Sequence, residues 1–125
     1  MEGVEKTGKQ LGLAEEVVAM TELKGILFVS TKKNRLLKLD PTAAGSPWTD
    51  IGHANDVKAM ASAEGFLFAV DQGVKLWMRD PEARGVHWTH IFKDYKVSTI
   101  TAATGQLYIA TLGDQLWLWK PVVCT

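Results

Sequence analysis

Short runs of alternating apolar and polar residues follow one another along the chain, separated by turns that contain glycine. Alternation with a period of two is typical of a β-strand, because successive side chains point to opposite faces. In the middle of the chain this pattern predicts four strands: Val57–Ser62, Phe66–Val70, Val74–Arg79 and His87–Ile91. The turns between them contain Gly65 and Gly73, and Asp80-Pro81 ends the third strand because proline cannot continue a ladder.

This pattern occurs three times, without insertion or deletion, at a spacing of 40 residues that is set by Gly25, Gly65 and Gly105. The same interval separates other matched residues: Val17, Val57 and Val97; Pro41, Pro81 and Pro121; Trp48 and Trp88; Trp77 and Trp117. The other copies therefore give equivalent strands: Gly25–Thr31, Asn34–Leu39 and Trp48–Ile51 in the first, Gln106–Thr111 and Asp114–Trp119 in the third. A fixed period of this length indicates a repeat architecture.

One segment has two possible interpretations. Leu13–Thr21 contains Ala14, Glu15 and Glu16, which favour a helix. Its register with Asn55–Ala61 of the next copy favours a strand, and we predict a strand here.

Four antiparallel strands in about 40 residues form one blade of a β-propeller. We therefore predict an all-β fold, a β-propeller with three four-stranded blades per chain. Residues 1–125 then form a single half-propeller domain, with repeats at approximately 8–47, 48–87 and 88–125. Three blades are too few for the range of roughly 4–8 blades per ring. We expect a homodimer that closes a six-bladed ring.

The two ends of the chain are offset in a way that suits ring closure. Lys9-Gln10-Leu11 aligns with the outer strand Thr49-Asp50-Ile51, whereas the third copy ends after its third strand. We expect the N-terminal segment to supply the missing outer strand and so to cover an exposed sheet edge.

Composition narrows the classes of partner and compartment. Fourteen basic residues balance fourteen acidic ones, so the chain lacks the positive charge that binds nucleic acid or anionic membranes. The only cysteine, Cys124, cannot form an internal disulfide. Neither a signal peptide nor a run of about 18 apolar residues is present. We expect a cytoplasmic protein, or one secreted without a leader, that does not insert into membranes.

Aromatic side chains are the first candidate ligand-binding residues. Sugars stack their apolar faces on aromatic rings while polar groups bind the hydroxyls. Four of the five tryptophans are repeated at matched positions: Trp48, Trp88, Trp77 and Trp117. The alternative is that these rings only pack between blades, where large side chains fill wedge-shaped gaps. Trp119 occurs only in the third copy, and we expect its ring to lie on the face opposite to that of Trp117.

Polar turns at one face of the blades are the second group of candidates. In the second copy, the turn before the innermost strand is Gly52-His53-Ala54-Asn55-Asp56. Its third-copy counterpart is Lys93-Asp94-Tyr95-Lys96. We expect both to lie on the same face as the turns between second and third strands. The candidate residues in these turns are His53, Asn55, Asp56, Asp71, Gln72, Asp94 and Tyr95. Asn, Asp and Gly are also ordinary turn formers.

Catalytic, metal and cofactor sites are not indicated. His53, His87 and His90 lack the spacing of a zinc site, and no calcium loop or Gly-rich phosphate loop occurs. The innermost strands carry Val, Ala, Met and Thr rather than converging acids and bases. We expect a protein that is not an enzyme and needs no metal or cofactor.

The order of motifs resembles the tectonin repeat. It runs through Trp48-Thr49-x-Ile51-Gly52, Gly65-x-Leu67-Phe68 and Leu76-Trp77, and the third copy repeats it with Gly105-x-Leu107-Tyr108 and Leu116-Trp117. The first copy departs from it, with Gly8 and Leu37 at tryptophan positions. Tectonin and tachylectin-type propellers are mostly lectins, so the resemblance implies a multivalent carbohydrate-binding protein that recognises cell-surface glycans. N-acetylated hexoses or fucose are the ligands it implies. The alternative is a non-enzymatic protein-interaction scaffold, or an engineered or fragment propeller without a glycan ligand.

Overall fold

The computed structural model describes residues 16–43, 48–82 and 87–120, and the predicted N-terminal latch Lys9-Gln10-Leu11 lies outside them. The described residues form strands and turns, without a helix. In chain order the strands are β1 (Val17–Leu23), β2 (Ile26–Thr31), β3 (Arg35–Leu39), β4 (Thr49–His53), β5 (Val57–Ala63), β6 (Phe66–Asp71), β7 (Leu76–Arg79), β8 (Thr89–Ile91), β9 (Val97–Ala103), β10 (Gln106–Thr111) and β11 (Leu116–Trp119).

These strands form three antiparallel sheets in which neighbours in sequence are neighbours in space. The first sheet is β1-β2-β3-β4, the second β5-β6-β7-β8, and the third contains β9, β10 and β11 among the described residues. The predicted all-β fold is confirmed. The segment with two interpretations is a strand where it is described, because β1 pairs along its length with β2.

The first hairpin of every sheet has the same tight turn. Its two central residues both have positive φ, with values of 54° and 82° at Lys24 and Gly25 and 52° and 83° at Glu64 and Gly65. Two consecutive positive φ values define a type I′ turn, whose twist matches that of the flanking strands. The repeated glycine is needed at the second position because few other residues adopt this conformation at low cost.

The second hairpin is wider than the sequence pattern predicts. β7 begins at Leu76 instead of Val74, and β11 begins at Leu116 instead of Asp114, because the residue at this repeat position has a positive φ and belongs to the turn. In the second sheet the Asp71 side chain also bonds across this turn. Its Oδ1 accepts a hydrogen bond from the backbone N–H of Lys75 at 3.0 Å. Val74 lies in the turn, with a φ of 58°.

The sheets stack through their apolar faces, with β1 beside β5 and β5 beside β9. Residues that alternate along β6 divide between the two sides of the second sheet. Leu67 and Ala69 pack with Phe28 and Leu36 of the first sheet. The other set faces the third sheet and forms the larger core cluster: Phe68, Val70, Leu76, Leu107 and Ile109.

One expectation about the third sheet is wrong. Trp117 and Trp119 are two residues apart on β11, so their rings lie on the same face of the strand. Both pack against the core between the second and third sheets. The residues that point to the opposite face are Leu116 and Leu118, which are exposed.

Val74 is the least favourable residue in the turns. A β-branched residue in the left-handed region is strained, and the equivalent positions hold Asn34 and Asp114, with φ values of 63° and 62°. We expect Val74→Asn to stabilise the protein by about 1 kcal/mol, the order of the left-handed penalty. The melting temperature should rise by about 4 °C.

The matched control reverses this change in the third sheet. Asp114→Val should lower the melting temperature by a similar amount. If Val74→Asn leaves the melting temperature unchanged or lowers it, the turn at Val74 is not strained.

Candidate functional site

A small pocket opens on the side of the second sheet that faces the first sheet. Its volume is about 90 Å³. Two tryptophan rings and three aliphatic side chains supply the apolar wall, and an acid, an amide and an imidazole supply the polar groups. The lining residues are His53, Ala54, Asn55, Val57, Ala69, Asp71, Trp77 and Trp88.

Backbone hydrogen bonds bring the two polar turns together at one end of the sheets. The Gln72 N–H donates to the Asp56 carbonyl at 2.9 Å, which joins the turn after β6 to the loop before β5. The Asp56 N–H donates to Oδ1 of Asn34 at 3.0 Å, and the Ala54 N–H donates to the Asn34 carbonyl at 2.9 Å. The loop that carries His53 and Asn55 is therefore held by both neighbouring sheets.

Asp71 positions the first tryptophan. Its Oδ2 accepts a hydrogen bond from Nε1 of Trp77 at 2.9 Å, while its Oδ1 accepts the Lys75 N–H. The Trp77 ring stacks on His90 of the adjacent strand, with centroids 5.0 Å apart and planes inclined by 30°. Each carboxylate oxygen retains a lone pair for a further donor.

Trp88 is fixed in a similar way, because its Nε1 donates to the His53 carbonyl at 2.7 Å. Its ring is half-buried and lines the pocket. Both indole N–H groups of the pocket thus have acceptors within the protein. The two tryptophans offer apolar ring surface to a ligand, and the hydrogen bonds to it must come from Asp71, Asn55 and His53.

An ion pair on the first sheet fixes the strand that leads into this loop. Arg35 of β3 donates from Nε and Nη2 to the two carboxylate oxygens of Asp50 on β4, each at 2.8 Å. Asp50 also accepts the Gly52 N–H at 2.9 Å. The hydrogen bond from Arg35, followed by that from Gly52, lowers the pKa of Asp50 below its ordinary value.

The equivalent place on the third sheet is filled by aromatic rings. Tyr95, which corresponds to Asn55, lies against Trp117 with centroids 5.0 Å apart. Phe92 contacts Tyr95 at 4.8 Å and Trp117 at 5.5 Å. Thr111 stands where the second sheet has Asp71, and Nε1 of Trp117 is buried without a hydrogen-bond acceptor.

The first sheet lacks two of the pocket's side chains. Thr31 and Leu37 stand in place of Asp71 and Trp77. Trp48, the counterpart of Trp88, is half-buried, and its Nε1 is buried without an acceptor. Among the described residues, the set Asp71, Trp77 and Trp88 is therefore complete only in the second sheet.

The structure divides the eleven candidate residues into three groups. Five line the pocket: His53, Asn55, Asp71, Trp77 and Trp88. Two are exposed beside it and do not line it: Asp56 and Gln72. Four lie at the equivalent places of the other sheets: Trp48 in the first, Asp94, Tyr95 and Trp117 in the third.

Sequence reasoning missed the aliphatic wall and one supporting residue. Ala54, Val57 and Ala69 line the pocket, but an alternating strand pattern does not distinguish pocket walls from core. Asn34 supports the loop from the first sheet. The signal available in the sequence was an asparagine at a turn position, where this side chain often forms hydrogen bonds with the backbone.

Neither a metal-binding group nor a membrane-spanning helix occurs in the described ranges. Within residues 16–43, 48–82 and 87–120, no three His, Cys, Asp or Glu side chains form a group that could hold a metal ion. The same ranges contain no helix that is long and apolar enough to cross a membrane.

Comparison with known proteins gives the fold and no activity. No family model matches the chain, and no curated protein matches it either. Among solved structures it is similar to BamB from Moraxella catarrhalis, with a TM-score of 0.55 and 8% identity over 81% of this chain. It spans only 30% of that BamB chain. It is also similar to the computationally designed Ika4 protein, with a TM-score of 0.50 and 10% identity, over 90% of this chain and 98% of the other. Together with the three antiparallel sheets, these likenesses support a propeller-like fold.

Asp71 should be the residue on which the pocket's stability depends most. In Asp71→Ala, the half-buried Nε1–H of Trp77 and the exposed N–H of Lys75 lose their acceptor, and a typical hydrogen bond contributes about 0.5–1.5 kcal/mol. We expect chemical denaturation to show a loss of this size.

Asp94→Ala is the control, because Asp94 is an exposed aspartate in the loop before β9, the third-sheet counterpart of the loop that carries Asn55. It should leave the free energy of unfolding unchanged. Equal effects of the two substitutions would contradict the role assigned to the Asp71 hydrogen bonds.

Proposed function

We propose that this protein is a non-enzymatic carbohydrate-binding protein that recognises glycans through the pocket of its second sheet. The observation that carries the proposal is the convergence of Trp77 and Trp88 with Asp71, Asn55 and His53 on one small pocket. The apolar face of a sugar ring stacks on aromatic surface, and carboxylate and amide groups bind its hydroxyls. The pocket combines these two requirements.

The size of the pocket limits what it can hold. Ligand sites for drug-sized molecules have volumes of about 300–1,000 Å³, whereas this pocket has about 90 Å³. It suits part of one monosaccharide, with the rest of a glycan in solvent. N-acetylated hexoses and fucose are the ligands that the tectonin resemblance implies, and we expect weak binding per site.

Multivalent binding then requires association of chains, because one chain has one complete pocket among its described residues. We propose that two chains associate and close a six-bladed ring with two pockets. Clustered glycans would bind this dimer much more tightly than a single sugar, since the second contact benefits from a high effective concentration.

The third sheet supports such an association. Three leucines occupy the same position in the repeat, and Leu36 and Leu76 are 0% and 1% exposed because each faces the next sheet. Within residues 16–43, 48–82 and 87–120 no sheet lies beyond Leu116, which is 76% exposed, beside Leu118 at 38%. An apolar sheet face of this kind is typical of an interaction surface.

A second copy of the chain is the partner that fits this face best. In each chain the second sheet covers one side of the first sheet. The other side of the first sheet in a second copy could therefore pack against Leu116 of this chain. Met20 on β1 points to that side and is 56% exposed. Val29 and Leu39 on the same side are buried, so the proposed contact is with the β1 part of this side. Two chains of three blades give six, which lies within the range of known propellers.

Asn55 allows a clean test of glycan binding, because its side chain is exposed and lines the pocket. On a glycan array the wild-type protein should bind N-acetylated hexoses or fucose. Titration with the best sugar should show Asn55→Ala binding about tenfold more weakly, as expected for a lost hydrogen bond.

Gln72→Ala is the matched control, since Gln72 is exposed in the adjacent turn and does not line the pocket. Its affinity should equal that of the wild type. A blank array at high protein density would reject the carbohydrate proposal and favour the protein-interaction alternative.

The dimer has its own test. Native mass spectrometry should find a dimer for the wild type and a monomer for Leu116→Lys, because a buried lysine at the proposed interface would lack a partner.

Leu112→Lys provides the control, since Leu112 is 56% exposed in the turn before β11 and outside the proposed interface. It should remain dimeric. A folded wild-type monomer at all concentrations would rule out the six-bladed ring while leaving the glycan pocket untested by that measurement.

A further inference from the structure

The tryptophan pocket contains a carboxylate that no basic side chain neutralises. Asp71 lines the pocket, and among the residues that the structure describes neither a lysine nor an arginine lines it. Within the same residues Asp71 forms no ion pair. Lys75, in the same turn, bonds to Asp71 through its backbone N–H. The pocket therefore carries a negative charge without a counter-charge on its wall.

The turn that carries Asp71 does not require an acid. The first and third sheets have Thr31 and Thr111 at this position. Each hydroxyl accepts the backbone N–H of the residue four positions later, at 3.2 Å in the first sheet and 3.3 Å in the third. Asp71 accepts the Lys75 N–H in the same way at 3.0 Å. A neutral hydroxyl thus serves the turn in two sheets, and the charge of Asp71 is additional to that role.

The pocket has more free acceptors than free donors. Its two indole N–H groups are used within the protein, since Trp77 donates to Asp71 at 2.9 Å and Trp88 donates to the His53 carbonyl at 2.7 Å. Both carboxylate oxygens of Asp71 can accept a further hydrogen bond. A ligand that donates hydrogen bonds and carries a positive charge therefore complements this pocket better than a neutral ligand of similar shape.

The tryptophan rings and the pocket volume favour a compact cation. The face of an indole ring attracts a cation electrostatically, and the half-buried rings of Trp77 and Trp88 both line the pocket. The volume of about 90 Å³ is smaller than the cavity of about 150 Å³ that encloses benzene. A whole sugar ring therefore does not enter, whereas one small substituent of the ring, such as an ammonium group, can enter.

We propose that the pocket selects sugars that carry a protonated amino group, such as 2-amino-2-deoxyhexoses, over their neutral relatives. The ammonium group donates to Asp71 beside the two tryptophan rings, and the rest of the sugar lies at the opening near Asn55. Neutral and N-acetylated hexoses bind the same pocket more weakly. This inference rests on the proposed carbohydrate-binding function, because it names the sugar class for that pocket and makes Asp71 the residue that determines specificity.

The test compares three sugars that share one ring: glucosamine, glucose and N-acetylglucosamine. NMR titrations at about pH 6.5, where such an amine is protonated, follow the indole N–H signals of Trp77 and Trp88. All three sugars should shift both signals. Glucosamine should bind about tenfold more tightly than the other two, because a charge-assisted hydrogen bond is roughly twice as strong as a neutral one.

Two variants assign this preference to Asp71. Asp71→Asn removes the charge with little change of shape, and the affinity for glucosamine should fall about tenfold, to that for glucose. Asp94→Asn is the matched control, since it removes a negative charge from an exposed residue that does not line the pocket. It should keep the full preference. A preference that falls equally in both variants would reflect the overall charge of the protein and would overturn the proposal.

The outcomes separate this proposal from the function on which it rests. Equal affinities of the three sugars for the wild type, or tighter binding of N-acetylglucosamine, would overturn the selectivity and leave carbohydrate binding in place. No shift of either indole signal with these sugars or with fucose would overturn both. If Asp71→Asn does not fold, the wild-type comparison decides the question, and tighter binding of glucosamine without shifts of the Trp77 and Trp88 signals would likewise overturn the proposal.

Discussion

Packing of one sheet against the next through an apolar face is the interaction on which the rest of this structure depends. Side chains that alternate along the second sheet serve both neighbours, since Leu67 packs toward the first sheet and Phe68 toward the third. A blade with two apolar faces must be covered on both sides, and buried apolar area is the dominant favourable term in folding. Among the described residues no sheet covers the outer face of the third sheet, and Leu116 on that face is 76% exposed.

The same constraint explains where the cavities lie. Sheets that fan out around an axis leave wedge-shaped crevices, and the side chains at equivalent repeat positions decide whether each crevice is closed. Tyr95 and Trp119 fill the two ends of the crevice between the second and third sheets. Asn55 and Arg79 stand at the same repeat positions in the other crevice, where Asn55 lines an open pocket and Arg79 is buried. Differences between copies, rather than the shared motif, thus create the candidate site.

The repeat made most of the fold predictable from sequence. An ungapped 40-residue period predicted the strand order, and the repeated glycine at positions such as Gly65 located the tight turns. The starts of β7 and β11 were misplaced because Val74 and Asp114 have a positive φ in the turn, which an alternating strand pattern does not reveal. The relative orientation of Trp117 and Trp119 was also misjudged, although a period of two already places both on one face.

The site was only partly predictable, for a physical reason. Polar turn residues and tryptophans can be recognised in sequence, and five of the eleven candidates line one pocket. Which copy holds an open pocket depends on ring packing between sheets, as with Tyr95 over Trp117. Side-chain volumes at matched positions gave a hint of this, but the direction in which Arg79 turns, toward the Ile51 carbonyl, could not be deduced from the repeat.

The most direct test of the central claim, a single sugar pocket in the second sheet, is an NMR titration that follows the indole N–H signals of the five tryptophans. We expect an N-acetylated hexose or fucose to shift the signals of Trp77 and Trp88, whose rings line the pocket. The signals of Trp48, Trp117 and Trp119 should remain in place. Shifts confined to these three tryptophans, or no shift of any indole signal at saturating sugar, would contradict the claim.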